Sequence, residues 1–339
     1  MGLAVLGAVL FMLAADSPDR SPGEAAPAAP AGGSRGSTPP GKTDSAPPTR
    51  VRLAPGIVLR APFGLGPEEA LPECTGSTGI FLGVLSVRDL EWKLSALDYS
   101  LREVRRGSAR VPRLQIASLP PDMAGIGSVA QRKRLFIMAV LPLVLQVNEE
   151  ILADREKLLD LTARDGILTQ EERKWIAALA ERHGAGPVDP GELITRVDAV
   201  PPSLAIAQAA EESGWGRSRF AVEANAVFGQ WTYRAGSGVV PRRRGAGERH
   251  EVRSFDGPRQ SVAAYMRNLN SHWAYEEFRR RRDALRRSGE FLTGEVLVGT
   301  LQRYSERGPD YVETIRTIMR QNRLADFDRA RLERHGDCP

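Results

Sequence analysis

Between Val129 and Leu161 the apolar residues Phe136, Val140, Leu143, Val147, Ile151 and Leu158 recur three, four or seven positions apart, the spacing that lines one face of a helix. Pro142 interrupts the run, so the pattern predicts one kinked helix or two consecutive ones, with these side chains in a core. A shorter stripe, Leu90, Leu94, Leu97 and Leu101, predicts an amphipathic helix from Leu90 to Val104, preceded by a candidate strand from Ile80 to Val87. Thr169 followed by Glu172 is a capping-box signature for a helix from Glu171 to Arg182, ending at His183-Gly184. Further helices are expected over Ser261–Asn270, Tyr275–Arg287, Glu295–Tyr304 and Tyr311–Gln321, with Gly308-Pro309 separating the last two. The period changes only around the basic turn Pro241–Gly247, where Val239-Val240 and Glu251-Val252-Arg253 read as the strands of a small β-hairpin. The expected fold is therefore mainly α.

The first residues follow a different pattern. Gly2–Ala15 is an apolar run of about 14 residues, short of the ~20 that span a bilayer. It reads as a signal-peptide core or, because basic residues before it are missing, as an uncleaved N-terminal anchor within residues 1–15. Residues 16–50 are rich in Pro, Ala, Gly and Ser and offer no apolar face, so a disordered linker is expected. Together these features predict an exported protein of the periplasm or cell envelope, with the apolar run as a membrane tether. Residues 51–122 read as an N-terminal extension packed on the main domain, to which the sequence assigns no role.

Charge and cysteines narrow the chemistry. A net charge of +5 over 339 residues, with a pI near 9.4, favours an anionic polymer as partner. No nucleic-acid recognition motif accompanies that charge, so nucleic acid is not expected. The arginine runs, Arg242–Arg244 and Arg279–Arg282 with Arg286 and Arg287, suit attraction to acidic polymers; for the second run a solvated helix face is the simpler reading. Cys74 and Cys338 show no CxxC or Cys/His metal spacing, which leaves a single disulfide or two free thiols. The string TARDGILTQ, residues 162–170, lacks the acidic ligand spacing of a calcium loop. No metal and no cofactor is expected.

The most pointed chemistry lies in AQAAEESGWG, Ala207–Gly216. Pro201 and Pro202 suit a first helical turn, alanines at 205, 207, 209 and 210 favour the helix, and Gly214 stops it. Glu211 and Glu212 then fall in the last turn, where the negative helix end disfavours an anion and nudges a carboxyl pKa upward. A protonated carboxylic acid beside an aromatic, here Trp215, suits donation to a glycosidic oxygen. The helical wheel leaves open which glutamate acts: Glu211 faces nearly as Leu204 does, and Glu212 is offset by about 80°.

The string AQAAEESGWGRSRFA, followed by Asn225-Ala226-Val227-Phe228-Gly229-Gln230-Trp231, resembles the glucosaminidase domain of peptidoglycan hydrolases, glycoside hydrolase family 73, in its Bax-type branch. HEVRSFDGPRQSVAAYMRNLNSHWAYEEFR, from His250, and YSERGPDYVETIRTIM, from Tyr304, are similar to the central and closing segments of that family. The resemblance implies a lysozyme-like helical domain over residues 123–325, with a C-terminal tail over 326–339. It implies cleavage of β-1,4 N-acetylglucosaminyl linkages in peptidoglycan glycan strands. It selects Glu212 as general acid, since the family's catalytic glutamate directly precedes Ser-Gly-Trp-Gly, and keeps Glu211 second. A hairpin glutamate serves as base in relatives; here the hairpin departs from that pattern and offers Glu251, or Glu248, with participation by the substrate's 2-acetamido group as the alternative. Tyr275 matches a family tyrosine near the cleft. Trp215, Asn225, Phe228, Gln230 and Trp231 combine aromatic faces with amides as a glycan groove does, and are expected to bind substrate. Muramidase or lytic transglycosylase chemistry on the other linkage, and a non-catalytic wall-binding scaffold, are the competing readings.

Overall fold

The computed structural model describes residues 80–334 apart from 84–85, 165, 186–188, 243 and 245–246. The apolar N-terminal run, the linker and both cysteines lie outside the described residues. The first elements are a strand β1 (Ile80–Leu82), helices α1 (Val87–Ala96) and α2 (Leu101–Arg106), and a strand β2 (Leu114–Ile116) that pairs in parallel with β1. Two serines set these boundaries. Ser86 accepts the Asp89 N–H and starts α1 where the strand was expected to continue, and Ser100 accepts the Glu103 N–H and starts α2. With Asp98 in a left-handed conformation between them, the single helix expected over Leu90–Val104 is two. Of the apolar stripe, Leu90 and Leu94 are buried, and Leu97 and Leu101 pack partly buried against the core.

After a 3-10 turn at Pro121–Gly125 comes the central element, α3 (Val129–Ala163), capped by Ser128. It is one continuous helix through Pro142. Gln146, one turn on, donates to the Pro142 and Leu114 carbonyls at 3.1 and 2.9 Å and so ties β2 to the helix. By length and composition α3 could cross a membrane, yet 78% of its apolar window is buried inside the protein. Helices α4 (Gln170–Arg182), opened by the complete Thr169–Glu172 capping box, and α5 (Pro190–Arg196) pack a small second core around Leu158, Leu179 and Leu193.

Next come α6 (Pro202–Ser213) and the short α7 (Arg219–Glu223). The expected hairpin is a three-stranded antiparallel sheet, order β3-β5-β4, built from β3 (Trp231–Thr232), β4 (Gly238–Val239) and β5 (Glu251–Arg253). Val239 pairs with Val252, and Trp231 faces Val252 from the other side; Val240 falls beyond the strand. Helices α8 (Pro258–Ser271), α9 (Glu276–Ser288), α10 (Gly294–Leu297) and α11 (Pro309–Gln321) follow, with 3-10 turns at Trp273–Tyr275, Val298–Tyr304 and Leu324–Arg329. Helices α6 and α8 pack on α3, and α11 packs on α6. One hydrophobic core runs from Leu82 to Leu332 through α3, α6 and α8 to α11, so the described part of the N-terminal extension shares it, while the sheet packs a separate small cluster around Val252.

Two segments differ from their reading as surface. Within the arginine run of α9, Arg279, Arg282 and Arg286 are buried, because they serve groups inside the protein. Arg286 grips Asp198 at 2.7 and 3.0 Å, and Arg282 donates to the Asp198 and Ala199 carbonyls and to Asn270. Of the segment 326–339, expected as a tail, Phe327 and Asp328 are buried, Asp328 against the start of α6.

Candidate active site

The start of α6 is clamped from two sides. Asn148 of α3 exchanges hydrogen bonds with the Val200 backbone at 2.7 and 2.9 Å, and the Asp328 carboxylate accepts from the Ser203 N–H and hydroxyl at 2.8 Å each and from the Gly294 N–H at 3.1 Å. A carboxylate at a helix N-terminus meets free N–H groups and the positive end of the dipole. Burial nevertheless pushes the Asp328 carboxyl up to about 6, against those hydrogen bonds.

The end of α6 explains the Ser-Gly-Trp-Gly sequence. Gly214, Trp215 and Gly216 are three successive residues with positive φ, 58°, 60° and 78°. Ser213 stitches the turn: its hydroxyl donates to the Ala209 carbonyl at 2.6 Å and accepts the Gly216 N–H at 3.0 Å. A Cβ at position 216 would stand 3.2 Å from both Leu119 and Phe136, so the second glycine lets the turn press on the core. The turn directs the Trp215 ring edge-on to Phe136, centroids 5.7 Å apart, with the Lys133 ammonium 4.8 Å from its centroid.

The two glutamates meet different surroundings. Glu211 is ion-paired with Arg307 at 2.7 Å, and Arg307 also donates to Thr314 at 2.5 Å. Glu212 accepts a hydrogen bond from the Tyr311 hydroxyl at 2.9 Å, and Tyr265, Tyr275, Tyr304 and Tyr311 all feel its charge. These four rings are buried and contiguous: Tyr304 stacks on Tyr311 at 5.3 Å and lies 5.9 and 6.4 Å from Tyr275 and Tyr265. Burial pushes the Glu212 carboxyl up to about 8; the Tyr311 bond opposes this, Glu211 adds to it, and Arg307 opposes it. The dominant cause is thus desolvation, an effect of packing, where the sequence suggested the helix end. A carboxyl at that level is protonated at neutral pH while part of the residue still meets solvent.

Of the residues expected to bind substrate, Trp215 lines a groove of about 520 Å³ with Lys133, Glu211, Arg307, Asp310 and Thr314; of the two glutamates it is Glu211 that lines it. Phe228 is fully buried and stacks on Tyr265 at 3.9 Å, forming the wall behind the tyrosines. Tyr275 is also buried, within the same cluster. Trp231 and Glu251 belong to the sheet, Gln230 directly precedes it with its carbonyl accepting the Arg253 N–H, and Asn225 lies in the loop after α7. Asn225 has positive φ and donates to the Phe255 carbonyl at 3.1 Å; Trp231 stacks on His250 at 4.2 Å. Gln230 is buried with an unpartnered amide oxygen. Glu251 is buried, and its carboxylate accepts the Gly236 and Gly238 N–H groups at 3.1 and 2.9 Å, holding the β3–β4 loop closed.

Sequence reasoning did not single out Gln208, Tyr311, Arg307 or Asp328. The signal for Gln208 was present: it stands four residues before Glu212, one helical turn away on a face otherwise of small apolar residues. Tyr311 and Arg307 lie about a hundred residues downstream, and no local pattern brings them to α6.

The match to known proteins covers this region. A family described as mannosyl-glycoprotein endo-beta-N-acetylglucosaminidase matches residues 193–324, from α5 to the last 3-10 turn. Protein Bax of Escherichia coli (strain K12) is 30% identical over 218 residues, covering 62% of this chain and 75% of Bax. No solved structure matches. The buried acid, its turn and its tyrosine wall all fall within the matched segment, and the domain is of glycosidase type. The chain belongs to the Bax-type glucosaminidase family.

Proposed function

We propose that this protein is an exported peptidoglycan hydrolase that cleaves β-1,4 N-acetylglucosaminyl linkages of the glycan strand, with Glu212 as general acid. The observation that carries this reading is the Glu212 carboxyl, desolvated to about 8 and standing in the chain between Glu211 and Trp215, which both line the groove. A protonated carboxyl there donates to the leaving oxygen as the glycosidic bond breaks. Glu211, neutralised by Arg307, is set aside as the acid.

The second step favours the substrate's own 2-acetamido group over a protein carboxylate. Glu251 has both oxygens engaged by backbone N–H groups, and freeing it as a base would open the β3–β4 loop. The acetamide oxygen then attacks the anomeric carbon, the glycosidic C–O bond breaks, and the Glu212 proton goes to the leaving oxygen. The acetamide keeps its N–H, so the intermediate is an oxazolinium ion whose charge the Glu212 carboxylate balances; water opens it, and the proton that water loses returns to Glu212. Trp215 offers a face to the C–H side of a sugar ring. The basic charge favours the acidic wall polymer, and the N-terminal apolar run would keep the enzyme at the membrane.

A zymogram on purified wall material tests the acid: wild type clears it and Glu212→Gln does not. Clearing retained by Glu212→Gln would reject Glu212, and clearing by neither would favour a binding scaffold. Reducing-end analysis tests the linkage. New N-acetylglucosamine ends are expected; new muramic-acid ends would assign the other bond.

A further inference from the structure

The side chains behind Glu212 form a hydrogen-bond chain with one direction. Tyr265 donates to the Gln208 amide oxygen at 2.6 Å, the Gln208 amide nitrogen donates to the Tyr311 hydroxyl oxygen at 2.9 Å, and Tyr311 donates to Glu212 at 2.9 Å. Gln208, Tyr265 and Tyr311 have no solvent-exposed surface, so water does not compete for these bonds. A hydroxyl has a single hydrogen and rotates to suit its neighbours; a primary amide has its donor and its acceptor on different atoms. Gln208 is the one member of the chain whose two ends are chemically distinct.

We infer that Gln208 is a positioning residue for the reaction: by fixing the direction of the Tyr265–Gln208–Tyr311–Glu212 chain, it commits the Tyr311 hydrogen to the Glu212 carboxylate. Tyr265 locks the amide by occupying its oxygen. With the amide nitrogen against Tyr311, that hydroxyl has its lone pair engaged and points its hydrogen at Glu212. The arrangement stabilises the ionised glutamate left after proton donation and opposes the desolvation that favours the acid form. The residue therefore trims the acidity of Glu212 without touching substrate. Its location one turn before Glu212 on the same helix makes the geometry insensitive to loop movement.

This inference rests on Glu212 being the acid, and its test reads the carboxyl directly, without turnover. The full chain is labelled with 13C at glutamate side-chain carboxyls, and the Glu212 signal is identified by its loss in Glu212→Gln. Titration of the folded protein gives the wild-type midpoint. Tyr311→Phe, which removes the donor, is expected to raise it by about one pH unit, a tenfold change in the acid dissociation constant. Gln208→Met, similar in length but without polar atoms, is expected to move the midpoint in the same direction. Tyr265→Phe keeps the ring stacked on Phe228 and releases the amide, and is expected to give a smaller rise. An unmoved midpoint in Gln208→Met beside a raised one in Tyr311→Phe would reduce Gln208 to packing and overturn the inference. If Gln208→Met fails to fold, an unmoved midpoint in Tyr265→Phe overturns it equally. A loss of clearing in Glu212→Gln with no change in these titrations would leave the acid assignment standing and remove only the role of Gln208.

Discussion

Replacing Glu212 by Gln should make the protein more stable as pH rises. The carboxyl ionises near 4.5 in the unfolded chain and near 8 in the folded one, so between those values the folded state holds one more proton. Its stabilising contribution is complete below about 4.5 and is lost as pH rises through 8. Glutamine has the same shape, still accepts from Tyr311, and carries no such dependence. The shift from 4.5 to about 8 corresponds to about 5 kcal/mol at 1.36 kcal/mol per unit. Because Glu212 keeps some contact with solvent, screening reduces this, and we expect a stability gain of about 2–4 kcal/mol for Glu212→Gln over wild type between pH 4.5 and 9. Asp328, raised to about 6, titrates in both proteins and cancels in the difference. The assay is urea unfolding followed by tryptophan fluorescence at several pH values, comparing the two proteins at each. A difference that does not change with pH would refute the desolvation argument, and with it the claim that stability is given up here for a poised acid.

The same carboxyl predicts that kcat/KM on soluble glycan fragments falls above pH 8, where the acid has lost its proton; a profile flat to pH 10 would contradict this. Asp198 is held down at about 2 against its burial by Arg155, Arg282 and Arg286, so Asp198→Asn strands three buried cations. A loss of about 3–5 kcal/mol is expected in denaturant titration, and a loss below 1 kcal/mol would mean that the cluster relaxes freely. Gly216→Ala places a methyl 3.2 Å from Leu119 and Phe136 at positive φ, and should cost about 1–3 kcal/mol in thermal unfolding while lowering activity through Trp215.

What was legible along the chain was local. Helix α6 and its stop at Gly214, the Thr169–Glu172 capping box and the apolar stripe of α3 each depend on residues within a turn or two of one another, and each stands where the spacing placed it. The break between α1 and α2 was missed because Ser100 competes with an otherwise good apolar stripe, and hydrophobic period outweighs a single cap in any reading of pattern. The pairing of β1 with β2 was missed because three-residue strands carry no period at all.

The site divides in the same way. Glu211 and Glu212 differ little in local sequence, and the helical wheel could not choose between them. The choice is tertiary: α11 brings Tyr311 over one glutamate, and the loop before it brings Arg307 to the other. The buried arginines of α9 make the same point, since one side of a run that reads as solvent-facing, Arg279, Arg282 and Arg286, is buried where Asp198 and the carbonyls at the end of α5 lie opposite it, while Arg280, Arg281 and Arg287 stay exposed. Spacing along the chain settles which residues share a turn or a face, because backbone geometry is periodic. Which carboxyl loses its water depends on what packs against it from a hundred residues away, and that was decided only when α6, α8 and α11 came together.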